Sequence, residues 1–269
     1  AVNVNGGATA LTTITSFTGN SVHQATAGNG IVVSGATFDA TPGGVFDQVA
    51  GGTTLVGAPG DGVGGSAMVL STVAGDLSFT DLDLFAGNGS ALAVSGAGPV
   101  NVGAGTGTRV TVGAGVATFQ STGGPAVDVA SATVDLQPTS ISSTNSPTVG
   151  VSLLNVADGT TSSTFSAGAG SSISNATGTA FFVDGGNATV SYAGSISNGA
   201  GRSVVVQNRN ADSVTFTGAI TDTGTGILVN SNTGSTIGFT GTLGLSTGAN
   251  AAFTAPGGAR VTSTGPQTP

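Results

Sequence analysis

Residues 201–220 read GRSVVVQNRNADSVTFTGAI, and two of the four arginines in a nearly uncharged chain flank the VVV run. The stretch is explained by its neighbours. Set beside GTAFFVDGGNATVSYAGSIS (178–197) and GTGILVNSNTGSTIGFTGTLG (224–244), it becomes the middle copy of a repeat of about 23 residues. Gly178, Gly201 and Gly224 open the copies, and Val183, Val206 and Val229 follow five positions later. Val190, Val214 and Ile237 match next, then Tyr192, Phe216 and Phe239, then Gly194, Gly218 and Gly241, and finally Ile196, Ile220 and Leu243.

Each copy therefore holds three short alternating or β-branched stretches separated by Gly, Asn, Asp and Ser, the residues that make turns. No stretch has the spacing of an amphipathic helix. A unit this small cannot bury its own apolar side, whereas stacking equivalent strands on one another creates a continuous dry column. The pattern predicts an all-β fold, a right-handed single-stranded parallel β-helix with three strands per coil.

Working outward, the repeat extends backwards with less regularity. Leu77 and Phe79 precede Val100 and Val102 by one period, AVDVASATVDLQPTSI (126–141) gives another coil, and GTRVTVGAGVATF implies an enlarged one. SAMVL and GIVV continue the theme near the start. The expected organisation is an N-terminal segment or first coil over 1–27, the β-helix over 28–245, and a tail or linker over 246–269, where APGGARVTSTGPQTP loses the pattern. The opening AVNVNGG has neither a basic segment nor an apolar core, as expected of a processed chain or fragment rather than a signal peptide.

These coils resemble the passenger regions of bacterial autotransporters and related filamentous adhesins, whose Gly/Asn/Thr/Val-rich repeats share this texture over about residues 28–245. The resemblance implies a secreted or bacterial cell-surface scaffold, attached to flanking domains of a longer surface protein, with a glycan or other cell-surface molecule as ligand. It implies no chemistry, and no cofactor is expected.

Composition sets the exclusions. Lys, Glu, Cys and Trp are absent, 48 residues are Gly, and the net charge is −8. Four arginines offer no clustered basic surface for nucleic acid. Without cysteine there are neither disulfides nor thiolate zinc sites. No apolar run approaches the roughly 18–20 residues of a membrane-spanning helix.

A β-helix can also be a polysaccharide lyase or hydrolase, with acids and a basic residue on one outer face. Asp81 and Asp83, two apart in TDLDLF, are the residues such an enzyme would use as acid and base or as calcium ligands. The plainer reading has Asp81 ending a turn after Phe79 and Asp83 facing water between inward Leu82 and Leu84. Asp128 and Asp135 are placed by the same alternation. Arg202 and Arg209 are expected to pair with nearby aspartates or to sit on an exposed edge. His23 stands alone, too little for zinc, and GAPGDGVGG (57–65) reads as a loop rather than a calcium-binding repeat. No catalytic, cofactor or metal residue is therefore assigned.

Two structural features stand out instead. Asn175, Asn198 and Asp222 each follow an isoleucine by two residues and predict a hydrogen-bonded ladder at one corner. Phe182, Val205 and Leu228 alternate with inward residues and predict an apolar stripe outside, with Val32 and Val69 on the same line. Either a loop or the C-terminal segment after residue 245 lies across that stripe, or it is a lateral contact surface. A third function remains open, the recognition of an ordered surface such as ice or a glycan lattice by rows of threonine.

Overall fold

The computed structural model describes residues 2–5, 12–14, 21–22, 27–38, 47–73, 75–96, 108–112, 117–156 and 164–268. Every named strand pair is parallel, and partners lie one coil apart in sequence. Val183 pairs with Val206 and Val206 with Val229, so the 23-residue repeat is the winding period of a parallel β-helix. No helix occurs among the described residues.

Three faces result. The first is a ladder of ten strands running from Val2–Asn5 to Phe253–Thr254, including Phe181–Asp184, Val204–Gln207 and Ile227–Asn230. The second carries Thr164–Ala167, Thr189–Tyr192, Ser213–Phe216, Thr236–Phe239 and Arg260–Ser263. The third carries Ser172–Ser174, Ser195–Asn198, Ile220–Asp222, Leu243–Leu245 and Gln267–Thr268. In the earlier coils the long strands Asp47–Val56 and Gly75–Ala86 run round the corner and serve both of the last two faces. At ~4.8 Å per coil the ten-strand ladder makes a rod roughly 45 Å long.

Alternation fills the interior. In the first-face column Ile31, Met68, Leu92, Val127, Val151, Phe181, Val204 and Ile227 are fully buried. At the end of the second face Tyr192, Phe216 and Phe239 stack in register. Phe216 and Phe239 stack with nearly parallel rings, centroids 5.3 Å apart, and Phe181 meets Phe216 edge-on at 5.1 Å. The Tyr192 hydroxyl donates to the Ser195 carbonyl at 3.3 Å, which lets a phenol sit in the column. Its burial pushes the phenol pKa above the ordinary value.

The corners explain the turn residues. Where first-face strands end, Gly35, Thr72, Ser131, Asn155, Gly185, Asn208 and Ser231 all take φ of 47 to 64°. That left-handed bend turns the chain inward while each N–H still bonds the next coil, as Asn155 does to the Asp184 carbonyl at 2.7 Å. At the corner between the second and third faces the requirement is closeness. A Cβ on Gly218 would land on the carbonyl of Gly194, and one on Gly241 on the carbonyl of Gly218.

The structure departs from the sequence reading in two places. Leu77 and Phe79 pair with Val110 and Val112 rather than with Val100 and Val102, which lie outside the described residues. The GTRVTVGAGVATF coil is enlarged as expected: Thr122 donates to the Gly87 carbonyl 35 residues earlier. The coil after Ile31 is longer still, with Ser66 bonding Asn29 across 37 residues. Within the expected tail, residues 253–268 do not leave the repeat either. Phe253–Thr254, Arg260–Ser263 and Gln267–Thr268 pair with the preceding coil on all three faces, so the stacking continues to Thr268. At the other end, Val2–Asn5 pairs with Ile31–Ser34, so the stacking on the first face begins at Val2.

Candidate functional site

The corner that follows the third face holds the residues expected to form a ladder, and it holds them in two arrangements. Asn198 and Asp222 are register neighbours and both are buried. Asn175 is exposed in the left-handed region, and its Nδ2 donates to Oδ1 of Asn145 at 3.2 Å, one coil earlier. The axial amide contact therefore joins Asn145 to Asn175.

Asn198 and Asp222 turn inward and close their own corners. Asp222 Oδ1 accepts from the N–H groups of Gly224 at 2.7 Å and Gly226 at 3.0 Å. Its Oδ2 accepts from the Ser203 N–H at 2.8 Å and the Ser203 hydroxyl at 2.6 Å. Asn198 has the opposite polarity: Nδ2 donates to the carbonyls of Gly178 and Arg202, both at 3.0 Å. One position thus takes an acceptor where N–H groups converge and a donor where carbonyls converge.

The arginines follow the same logic rather than pairing with aspartates. Arg209 is buried, and its guanidinium donates to the carbonyls of Gly185 at 3.0 Å, Ala188 at 2.6 Å and Ala211 at 3.3 Å. Burial pushes its pKa below the ordinary guanidinium value, and the nearby Asp212 charge partly offsets this. Asn232 supports it by accepting from the Arg209 N–H and donating to the Val206 carbonyl. Arg202 donates to the Thr225 carbonyl at 2.9 Å. A coil corner gathers carbonyls that no strand satisfies, and a planar, multi-donor cation answers several at once. Asp184 is used similarly, accepting from Gln207 Nε2 at 2.9 Å and Asn208 Nδ2 at 2.8 Å. The Arg209 and Asp184 clusters were missed in the sequence because charged residues were assigned to the surface. The NRN triplet at 208–210, set on a turn, is the signal that carried them.

Asp81 and Asp83 lie in the middle of the continuous strand Gly75–Ala86, so no turn follows Phe79. They alternate with the fully buried Leu82 and Leu84 and are partly exposed on the outside. Desolvation, then the charge of Asp81, raises the Asp83 pKa, while hydrogen bonds from Thr118 act the other way. Asp83 is in register with Thr118 above and Leu55 below, with no arginine at either position. Arg109 instead pairs in register with Asp76 and Thr133. Among the described residues no three acid or histidine side chains converge on a metal-sized space. His23 lies outside the described residues. The GAPGDGVGG segment is a tight turn in which Ala58 and Asp61 exchange backbone hydrogen bonds of 2.9 and 3.0 Å.

Asp83→Asn is accordingly expected to raise stability at neutral pH. A raised carboxyl pKa means the folded chain favours the protonated form, so that contribution is complete at acid pH and is lost as pH rises through the folded value. Partial exposure screens the effect to no more than about 1 kcal/mol. Melting curves should show the variant above the parent at pH 7 and level with it at about pH 3, where aspartate is protonated in either state.

On the outside, two kinds of surface alternate. Phe182, Val205 and Leu228 share one first-face column, bounded by Ser152 on one side and Thr254 on the other. Val205 is 6% exposed between its two half-buried neighbours. The C-terminal segment does not cross this stripe, because its residues 253–268 form the last coil. Val32 and Val69 stack in register further along, but Asp128 and Ser152 separate them from the three. Over Ala93 the face dips into a shallow hollow of about 190 Å³ lined by Val69, Ser95, Asp128 and Ala130.

From Thr164 to Phe239 the outward positions of the other two faces carry hydroxyl rather than charge. Thr164, Thr189, Ser213 and Thr236 occupy one axial row, and Ser166, Ser191 and Thr215 a second. Ser172 and Ser195 continue the theme on the third face, beside Ser174, Ser197 and Thr221. Gly238 interrupts the second row and Arg260 ends the first.

No protein-family model matches the chain, and no match was found among curated proteins or solved structures. Function must be argued from these surfaces.

Proposed function

We propose that the chain is a non-enzymatic scaffold of a bacterial cell-surface or secreted adhesin, of the autotransporter-passenger kind. The observation that carries this reading is where the charge goes. Arg202, Arg209, Asp184 and Asp222 are engaged with corner backbone or corner amides, leaving neutral hydroxyl faces over the later coils and, among the described residues, no three acids or histidines placed to hold a metal. Such a rod works by geometry. Its ladders keep the backbone paired, hold distal elements away from the cell, and present Ser/Thr rows to a glycan or other cell-surface ligand.

The reading is tested by offering the intact chain glycan arrays and cultured cells on one hand, and uronate polymers with calcium on the other. Binding without turnover, weakened when Ser191 and Thr215 are both replaced by arginine, is the expected result. Polymer cleavage that disappears in Asp81→Asn or Asp83→Asn would establish the carbohydrate-active alternative instead. The axial hydroxyl rows favour a second reading, recognition of an ordered surface such as ice or a glycan lattice. Inhibition of ice recrystallisation, lost on the same double substitution, would select it.

A further inference from the structure

In the middle of the first-face ladder, three adjacent coils leave a hollow of about 190 Å³ on the outside of the rod. Ala93 forms its floor, in register with Val69 on one side and Asp128 on the other. Val69 and Asp128 stand two coil steps apart, ~10 Å, with only the Ala93 methyl between them. The row two residues along runs through Ser95, Ala130 and Leu154. Leu154 is 36% exposed, so the apolar floor continues past Ala130 onto the open surface. Two polar groups border it. Ser95 donates its hydroxyl to the Ser71 hydroxyl at 3.2 Å, which leaves its oxygen free to accept. Asp128 has no cation of its own among the described residues. Arg109 stands in register with Asp76, Arg202 and Arg209 donate to carbonyls, Arg260 ends a row of the second face, and the chain has no lysine.

We infer that this hollow binds a sugar bearing a free amino group, a de-N-acetylated hexosamine within a cell-surface glycan. The assignment rests on the glycan-ligand reading above and adds a site on a different face from the hydroxyl rows. A pyranose ring is apolar on its C–H faces and polar around its edge. Lying flat, it covers Ala93 and Ala130, turns a hydroxyl to Ser95 and sets its ammonium against Asp128. Sites for small ligands have this composition, an apolar surface with a few polar groups that fix orientation. Charge selects the amine. An ammonium donates a charge-assisted hydrogen bond to the carboxylate, whereas an N-acetyl group carries no charge to pair with it. Shape selects the ring. The hollow is broad and shallow, three coils long and two rows across, where the stem of a lysine from a protein partner needs a narrow slot.

The test is an NMR titration of the methyl-labelled full chain at about pH 6, where aspartate is ionised and the amine of an amino sugar is protonated. Methyl glucosaminide is expected to shift the methyl resonances of Val69, Ala93 and Ala130, and a glucosamine oligomer to shift Leu154 as well. The N-acetylated sugar should leave them in place. Asp128→Asn should weaken binding about tenfold or more, the worth of a hydrogen bond to a charged group. Ala93→Leu should fill the hollow and abolish binding with an unchanged circular dichroism spectrum. Replacing Ser191 and Thr215 by arginine should leave these shifts as in the parent, which separates this site from the hydroxyl faces. Equal binding of the N-acetylated sugar, or binding that survives Ala93→Leu, overturns the inference. So does the absence of any shift at these methyls, and glycan binding elsewhere on the rod would then leave the scaffold reading standing. Tighter binding of a lysine amide than of the amino sugar overturns it in favour of a protein partner.

Discussion

Phe216→Ala is expected to destabilise the fold by about 3–5 kcal/mol, measured by denaturant titration. Phe216 is fully buried and meets Phe181 at 5.1 Å and Phe239 at 5.3 Å, so its removal opens a gap in the aromatic run. The surrounding coils cannot collapse into that gap. Their spacing is fixed by backbone hydrogen bonds along the rod, such as that from the Thr217 N–H to the Tyr192 carbonyl at 2.9 Å. Phe216→Leu, which keeps most of the volume, should cost much less. A loss under about 1 kcal/mol for the alanine variant would show that the column is not packed as described.

Asp222→Ala is the second large effect, expected to cost at least about 2 kcal/mol. It strands two buried N–H groups, of Gly224 and Gly226, and each unsatisfied donor costs about 1–3 kcal/mol, while the Ser203 N–H keeps its bond to the Gly226 carbonyl. Asp222→Asn keeps one accepting oxygen and should fall between parent and alanine. The reverse exchange is the sharper test. Asn198→Asp would set a carboxylate against the carbonyls of Gly178 and Arg202, two acceptors it cannot satisfy, and should destabilise although it copies the residue one coil above. If Asn198→Asp is neutral, the polarity assigned to the two corners is wrong.

The coils over 178–244 were legible because their length is constant. With a fixed step, Val183, Val206 and Val229 align by eye and prove to be partners. Earlier coils vary in length, and the longer ones include residues 39–46, 97–107 and 157–163, outside the described set. A fixed step therefore stopped short of Leu77's true partner, Val110. The last coil was hidden by its residues. Gln267 stands in register with Leu243, and Gly257 and Gly258 break up the strand spacing, so hydropathy fades although pairing continues.

The outer faces were readable from alternation, since side chains two apart share a face. Corner chemistry was not. Sequence showed that Asn175, Asn198 and Asp222 recur at one place in the coil, but the direction of each side chain depends on whether N–H groups or carbonyls converge there. Arg209 shows the same limit: its charge suggested water, and three corner carbonyls that converge there drew it inside.

The most direct test of stacked winding is a distance between spin labels at Ser166 and Thr262. These two residues are 96 positions apart in the chain but lie on one axial row, linked through Ser191, Thr215 and Gly238. Four interstrand steps put their Cα atoms about 19 Å apart. Pulsed electron resonance should give a narrow distribution near that value. A broad distribution, or one centred beyond about twice that distance, would contradict the winding and everything built on it.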